Sequence, residues 1–138
     1  MYNLRIIAAY RVFYEGPCLS LIVPAFDGEK EVLAHHESMV IAVTDGEMRY
    51  KTEDDTWHIG YVGRGFVQIA NNRVILLTES AEKPEEIDVR RAEEAKERAL
   101  EQLRQKQSIQ EYYHSSASLA RAMARLKTSR QTAGKIRI

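Results

Sequence analysis

The stretch Ile87-Asp88-Val89-Arg90-Arg91-Ala92-Glu93-Glu94-Ala95-Lys96-Glu97-Arg98-Ala99 is where this chain changes character. It is built largely from strong helix formers and holds neither Gly nor Pro. A second such run, Ser118-Leu119-Ala120-Arg121-Ala122-Met123-Ala124-Arg125-Leu126-Lys127, carries no acid. Everything before Pro84 reads instead as short strands and turns. The fold class expected is mainly β plus α: an N-terminal antiparallel β-sandwich over 1–84, then a C-terminal antiparallel two-helix hairpin over 85–128. Residues 129–138 read as a disordered tail.

Charge is sorted between the two parts. Residues 1–86 carry a net −6 and residues 87–138 a net +6, so the overall balance of zero hides a dipolar molecule. After Glu111 come Arg121, Arg125, Lys127, Arg130, Lys135 and Arg137 with no acid among them. Such a segment favours an acidic surface, a phosphate-bearing ligand or nucleic acid, although a solvated basic helix has the same composition. The 138 residues suit one small domain with an appendage. One Cys, Cys18, allows no internal disulfide and fits a reducing compartment. Met1-Tyr2-Asn3-Leu4-Arg5 lacks the long apolar stretch expected of a secretory signal, and no apolar run approaches the roughly 20 residues of a membrane helix.

Within 1–84, apolar runs recur about every 8–12 residues, the spacing of a sandwich or barrel. Turns are expected at Glu15-Gly16-Pro17, Asp27-Gly28, Asp54-Asp55 and Asn71-Asn72. Asp45-Gly46 reads as a hairpin between Met39–Val43 and Met48–Lys51. Glu29, Lys30 and Glu31 read as a solvated acidic loop, Cys18 as a small core residue, and His35-His36 as a poor metal site. Nothing in this part has the form of an active site.

In the hairpin, Asp88 is placed to cap the first helix, which should run to about Lys106. Gln107-Ser108-Ile109-Gln110 should turn the chain into a second helix ending near Lys127. Val89, Ala92, Ala99 and Leu103 form one packing stripe, and Tyr113, Ala117, Ala120 and Ala124 the other. Arg91 and Arg98 share one face, as do Arg121 and Arg125. A reversal near 107–111 sets residue 98 opposite about 120 and residue 91 opposite about 127. The four guanidiniums then stand at one level, where a polyphosphate would relieve their repulsion. Salt bridges to Glu94 and Glu97 are the alternative use of these arginines.

These residues resemble the epsilon subunit of F-type ATP synthases to about residue 128. The likeness is carried by Arg11-Val12-Phe13-Tyr14-Glu15-Gly16, Gly28-Glu29 with Val32-Leu33 and His36, Gly65-Phe66-Val67, Ala81-Glu82, and Ile87-Asp88-Val89-Arg90-Arg91-Ala92. The last is similar to the family's ATP signature, Ile/Leu-Asp-x-x-Arg-Ala. The resemblance implies a non-catalytic central-stalk subunit, peripheral on the cytoplasmic face of the bacterial membrane. Its sandwich would link the gamma subunit to the c-ring, with Glu29 and His36 in the c-ring loop. Its mobile hairpin would inhibit ATP hydrolysis by extending toward the beta subunits through the basic second helix. It implies ATP as a regulatory ligand with no obligatory cofactor or metal. Glu82, Asp88 and Ala92 would lie by the adenine, Arg91, Arg98, Arg121 and Arg125 by the phosphates, and Ile87 would also belong to the ATP site. Neither nucleic-acid binding nor membrane insertion is implied.

The chain departs from the family pattern at Ala8-Ala9, where Thr-Pro is frequent. It departs again at Glu31, Ala34, His35, Ser38 and Arg64, where glycines and prolines are usual. A free-standing nucleotide sensor or adaptor of the same fold is the competing reading.

Overall fold

The computed structural model describes residues 1–105 and 108–130. Its strands, in chain order, are β1 (Tyr2–Ala8), β2 (Arg11–Ala25), β3 (Gly28–Leu33), β4 (Met39–Val43), β5 (Gly46–Thr52), β6 (Trp57–Val62), β7 (Gly65–Ala70), β8 (Arg73–Thr78) and β9 (Ala81–Glu82). A 3-10 turn, Pro84–Glu86, leads to helices α1 (Val89–Arg104) and α2 (Ile109–Ser129). The strands form one ladder in the order β4-β7-β8-β1-β2-β5-β6-β9, with β3 also on β2. The ladder folds over a single core. Leu4, Ile6, Val67, Ile69, Val74 and Leu76 from one half meet Leu21, Val23, Met48, Tyr50 and Val62 from the other. Alternation sets this up: β1 buries Tyr2, Leu4, Ile6 and Ala8 and leaves Asn3 and Arg5 exposed. The sandwich is thus as expected, with one pair, β1 and β8, running parallel.

Three local expectations are corrected. Glu15-Gly16-Pro17 does not turn; β2 runs unbroken for 15 residues. It pairs with β1 through Cys18 and with β5 from Cys18 to Ile22. It pairs with β3 from Ser20 to Ala25. Pro17 and Pro24 both lie outside the Cys18–Ile22 stretch paired to β5, so each has a ladder on one side only and its missing N–H is tolerated. Asp45-Gly46 makes no hairpin either: β4 pairs with β7, and β5 with β2 and β6. The dipeptide is a corner between the two halves, where a Cβ on Gly46 would stand 3.2 Å from the Pro24 ring. The small residue supplies space there, not a positive φ. The third correction is the acidic loop, which is strand β3. Glu29 pairs with Arg49 at 2.8 Å, and Glu31 accepts from the Ser20 hydroxyl at 2.8 Å.

The other turns form where expected. Asn71 and Asn72 take φ of 51° and 56° between β7 and β8, the left-handed pair that a tight two-residue hairpin needs. Gly28, with φ of 121°, closes the β2–β3 hairpin. Cys18 is fully buried, its thiol donating to the Ser20 carbonyl at 3.0 Å.

In the hairpin, Asp88 caps α1 as expected, accepting from the Arg91 backbone N–H at 3.0 Å. Ser108 caps α2 in the same manner, so Ile109 and Gln110 are already helical; Gln107 lies outside the described residues, as does Lys106. Ser129 is the last residue of α2 and Arg130 its cap. The remainder of the expected tail, residues 131–138, lies outside the described residues. The packing face of α2 is a larger correction. Ser115, Ala122, Leu126 and Thr128 are its buried residues, whereas Tyr113, Ala117 and Ala120 face solvent. On α1, Ala92 and Ala99 are buried as expected, and Val89 stays 43% exposed. Two apolar stripes wind around α2, and the one containing Leu126 removes more apolar surface than one built on alanine.

Candidate functional site

Ala92 and Ala99 on α1 and Ala122 on α2 are small, so the two helices approach closely along one seam. The Ser115 hydroxyl donates to the Gln102 side-chain oxygen across that seam at 3.2 Å, which fixes the register. Residue 102 opposite 115 sets Arg98 near 119 and Arg91 near 126, within one residue of the expected pairing. A cleft of about 620 Å³ opens beside the seam, roofed by β9 and the 3-10 turn. Asp88, Arg91, Ala92, Ala95, Arg98, Ala99 and Gln102 line it from α1 and its cap. From α2 come His114, Ser118, Arg121, Ala122 and Arg125, and from the sandwich side Glu82 and Glu86. All four expected arginines therefore meet in one cavity.

Their partners decide what the cavity can do. The acids at its rim are already engaged. Glu82 accepts from Arg125 at 3.0 and 3.2 Å. Glu86 is bound by Arg11 at 2.7 and 2.8 Å, and Asp88 caps the helix. Those two Arg11 bonds hold the Glu86 carboxyl down to about 2. Glu94, the alternative partner for the arginines, turns to Arg90 at 3.3 Å. Among the described residues, Arg91, Arg98 and Arg121 have no carboxylate within ion-pair distance. Arg121 donates to the Ser118 hydroxyl at 3.2 Å. Three guanidiniums without acids in a concave site offer forked N–H donors whose geometry matches the oxygens of an oxyanion.

Arg125 belongs to both parts of the molecule. Its guanidinium sits 4.4 Å over the Tyr61 ring on β6 while it bonds Glu82 on β9. Tyr61 is fully buried, and burial pushes its phenol up to about 12 against the opposing pull of Arg125. The connection into the hairpin is tied down separately. Arg11 and Tyr10 donate to the Ala81 carbonyl at 3.0 and 2.9 Å, and Arg11 also clamps the 3-10 turn through Glu86.

Of the residues singled out from sequence, Glu82, Asp88, Arg91, Ala92, Arg98, Arg121 and Arg125 line the cleft. Ile87 is buried and lies outside its lining. Glu29 and His36 are elsewhere, on and after β3. Glu29 is exposed and bound to Arg49, and the His36 ring meets the Glu37 carbonyl at 2.9 Å. Sequence reading missed Glu86, Gln102, His114 and Ser118. A signal existed for the last three: Gln102 is i+4 from Arg98, and 114, 118, 121 and 125 recur on one face of α2.

Comparison with known proteins agrees in both halves. A family model described as ATP synthase, delta/epsilon chain, beta-sandwich domain matches residues 1–84. One described as ATP synthase, delta/epsilon chain, long alpha-helix domain matches residues 85–130. The chain is 42% identical over 126 residues to the ATP synthase epsilon chain of Ruminiclostridium cellulolyticum, covering 91% of this chain and 93% of that one. It is 38% identical over 126 residues to that of Caldanaerobacter subterraneus, covering 91% of each. Its fold matches a chain of the Euglena gracilis mitochondrial ATP synthase with a TM-score of 0.78 at 21% identity, covering 89% of this chain and 78% of that one. A chain from the central stalk and c-ring structure of the Tetrahymena thermophila enzyme gives a TM-score of 0.71 at 7% identity, over 93% and 96%.

Proposed function

The chain belongs to the family of ATP synthase epsilon chains, and from that membership we propose a rotor subunit whose hairpin is an ATP-biased switch. On this reading the sandwich joins the gamma subunit to the c-ring, and the chain performs no chemistry itself. ATP binds the folded hairpin with its phosphates among Arg91, Arg98, Arg121 and Arg125. Extended, the basic α2 reaches an acidic surface of the beta subunits and stops hydrolysis. A ligand that binds only the folded form stabilises it by RT ln(1 + [L]/Kd), about 1.4 kcal/mol at ten times Kd. Falling ATP therefore releases the hairpin.

The observation that carries the reading is the set of carboxylate-free guanidiniums in one cleft. The seam of Ala92, Ala99 and Ala122 supports the switch, since small side chains bury little area each between the two helices. An exposed apolar strip on the sandwich supports the gamma contact. Val40 and Ala42 on β4 stand opposite Gln68 and Phe66 on β7, and Phe66 pairs onward with Leu77 on β8. Val40 is 64% exposed and Phe66 45%, more apolar surface than a free sheet face needs to show. No helix among the described residues is long and apolar enough to cross a membrane, which suits a peripheral subunit.

Calorimetric titration of the whole chain with ATP tests the switch ligand. Wild type should bind saturably, and Arg91→Ala should bind about tenfold or more weakly, the loss of a charge-assisted hydrogen bond. Arg91 is the cleaner probe because, among the described residues, its side chain makes no ion pair. Arg125→Ala should lose at least as much, through both the anion and Glu82. An unsaturable wild-type isotherm would overturn ATP as the ligand.

A further inference from the structure

We propose that His114 is a fifth, proton-dependent cation of the hairpin cleft, making the affinity for a polyphosphate fall as pH rises. The inference rests on the anion-site reading of that cleft. His114 lines the cavity on the same face of α2 as Ser118, Arg121 and Arg125, at the end nearest the helix connection. Among the described residues the groups facing it are few. On α1 these are Arg98 and the neutral Gln102; on α2 itself, Arg121 and Glu111, the last one turn before it. From β9 and the 3-10 turn come Glu82 and Glu86, each already held by an arginine. Among the described residues no carboxylate forms an ion pair with His114.

Imidazole is the side chain whose ordinary titration falls between pH 5 and 8. Protonated, it presents two N–H donors and a charge to an anion; neutral, it keeps one donor and turns a lone pair outward. At the mouth of a cavity built from arginines, that difference is read directly by a bound phosphate. An arginine side chain is charged throughout this range as a matter of its chemistry. Among the described residues lining the cleft, His114 is the basic side chain that is not an arginine, so a proton-dependent part of the binding falls to it.

The test is ATP affinity of the full chain at about pH 6 and about pH 8 for wild type, His114→Gln and His114→Arg. Titration of the nucleotide's own phosphate is common to all three and cancels in the ratios of Kd. His114→Gln should bind three- to fivefold more weakly than wild type at about pH 6, the size an exposed charge pair contributes, and equally at about pH 8. His114→Arg should be as tight as acidic wild type at both. The exposed position makes either replacement compatible with the folded hairpin, which helicity by circular dichroism verifies. A Gln-to-wild-type ratio that is the same at both pH values overturns the role of His114 while leaving ATP as the ligand. No saturable wild-type binding at either pH overturns both.

Discussion

Arg125 shows how much one residue can be asked to do. It stacks on Tyr61, bonds Glu82 and faces the cleft. An anion that draws it inward must compete with Glu82, so ligand occupancy and docking of α2 on the sandwich share one guanidinium. Gly65 is the opposite case, a residue with one duty. A Cβ there would run into the Leu77 carbonyl and stand 2.8 Å from the Thr78 Cα, both backbone atoms that cannot step aside. Gly65→Ala should lower stability by at least about 2 kcal/mol, read as a reduced urea midpoint. Gly46 is also crowded, but less closely, by the Pro24 ring at 3.2 Å. The sequence presents both glycines alike, because what separates them is a strand ten or more residues away.

The helices are legible in outline, and only α2 differs from its expected rotation. Helix formers, caps and the position of the reversal could all be read locally, and the arginine quartet followed from spacing. The face of α2 could not, because Tyr113-Ala117-Ala120-Ala124 and Ser115-Ala122-Leu126 are both apolar enough to serve. Only the packing against Ala92 and Ala99, and against β5 and β6, selects between them. Ala122 is 2% exposed and Ala117 lies in solvent, so the pair gives a matched test. Ala122→Asp should bury an unpaired charge at a cost of about 3 kcal/mol, with loss of amide protection along both helices in hydrogen exchange. Ala117→Asp should cost only its helix propensity, under about 1 kcal/mol, and leave protection intact. Among the strands, alternation and turn residues located most elements. They failed at Asp45-Gly46 and at Glu15-Gly16-Pro17 because choosing a hairpin over a corner depends on distant partners.

At the scale of the whole molecule, two ion pairs of different exposure join sandwich and hairpin among the described residues, Arg125–Glu82 and Arg11–Glu86. Glu86 is held down to about 2 from an ordinary 4.5. Its contribution to stability is therefore complete above about pH 4.5 and is lost as pH falls through about 2. With side chains about a third exposed, the pair is worth about 1 kcal/mol at most. Glu86→Gln should flatten the acid limb of a stability-versus-pH curve between those values and leave the rest of the acid limb in place. The parallel pairing of β1 with β8 has a consequence of another kind, in the order of synthesis. Asn3 lies beside Arg73 and Ala8 beside Thr78, so a central strand of the sandwich waits some seventy residues for its neighbour. A nascent chain emerging from the ribosome carries β1 with an open edge until β8 appears, and only a few residues later the hairpin begins. Closure of the sandwich and birth of α1 thus fall almost together in time, which makes the interval before residue 78 the one in which this chain most needs a chaperone.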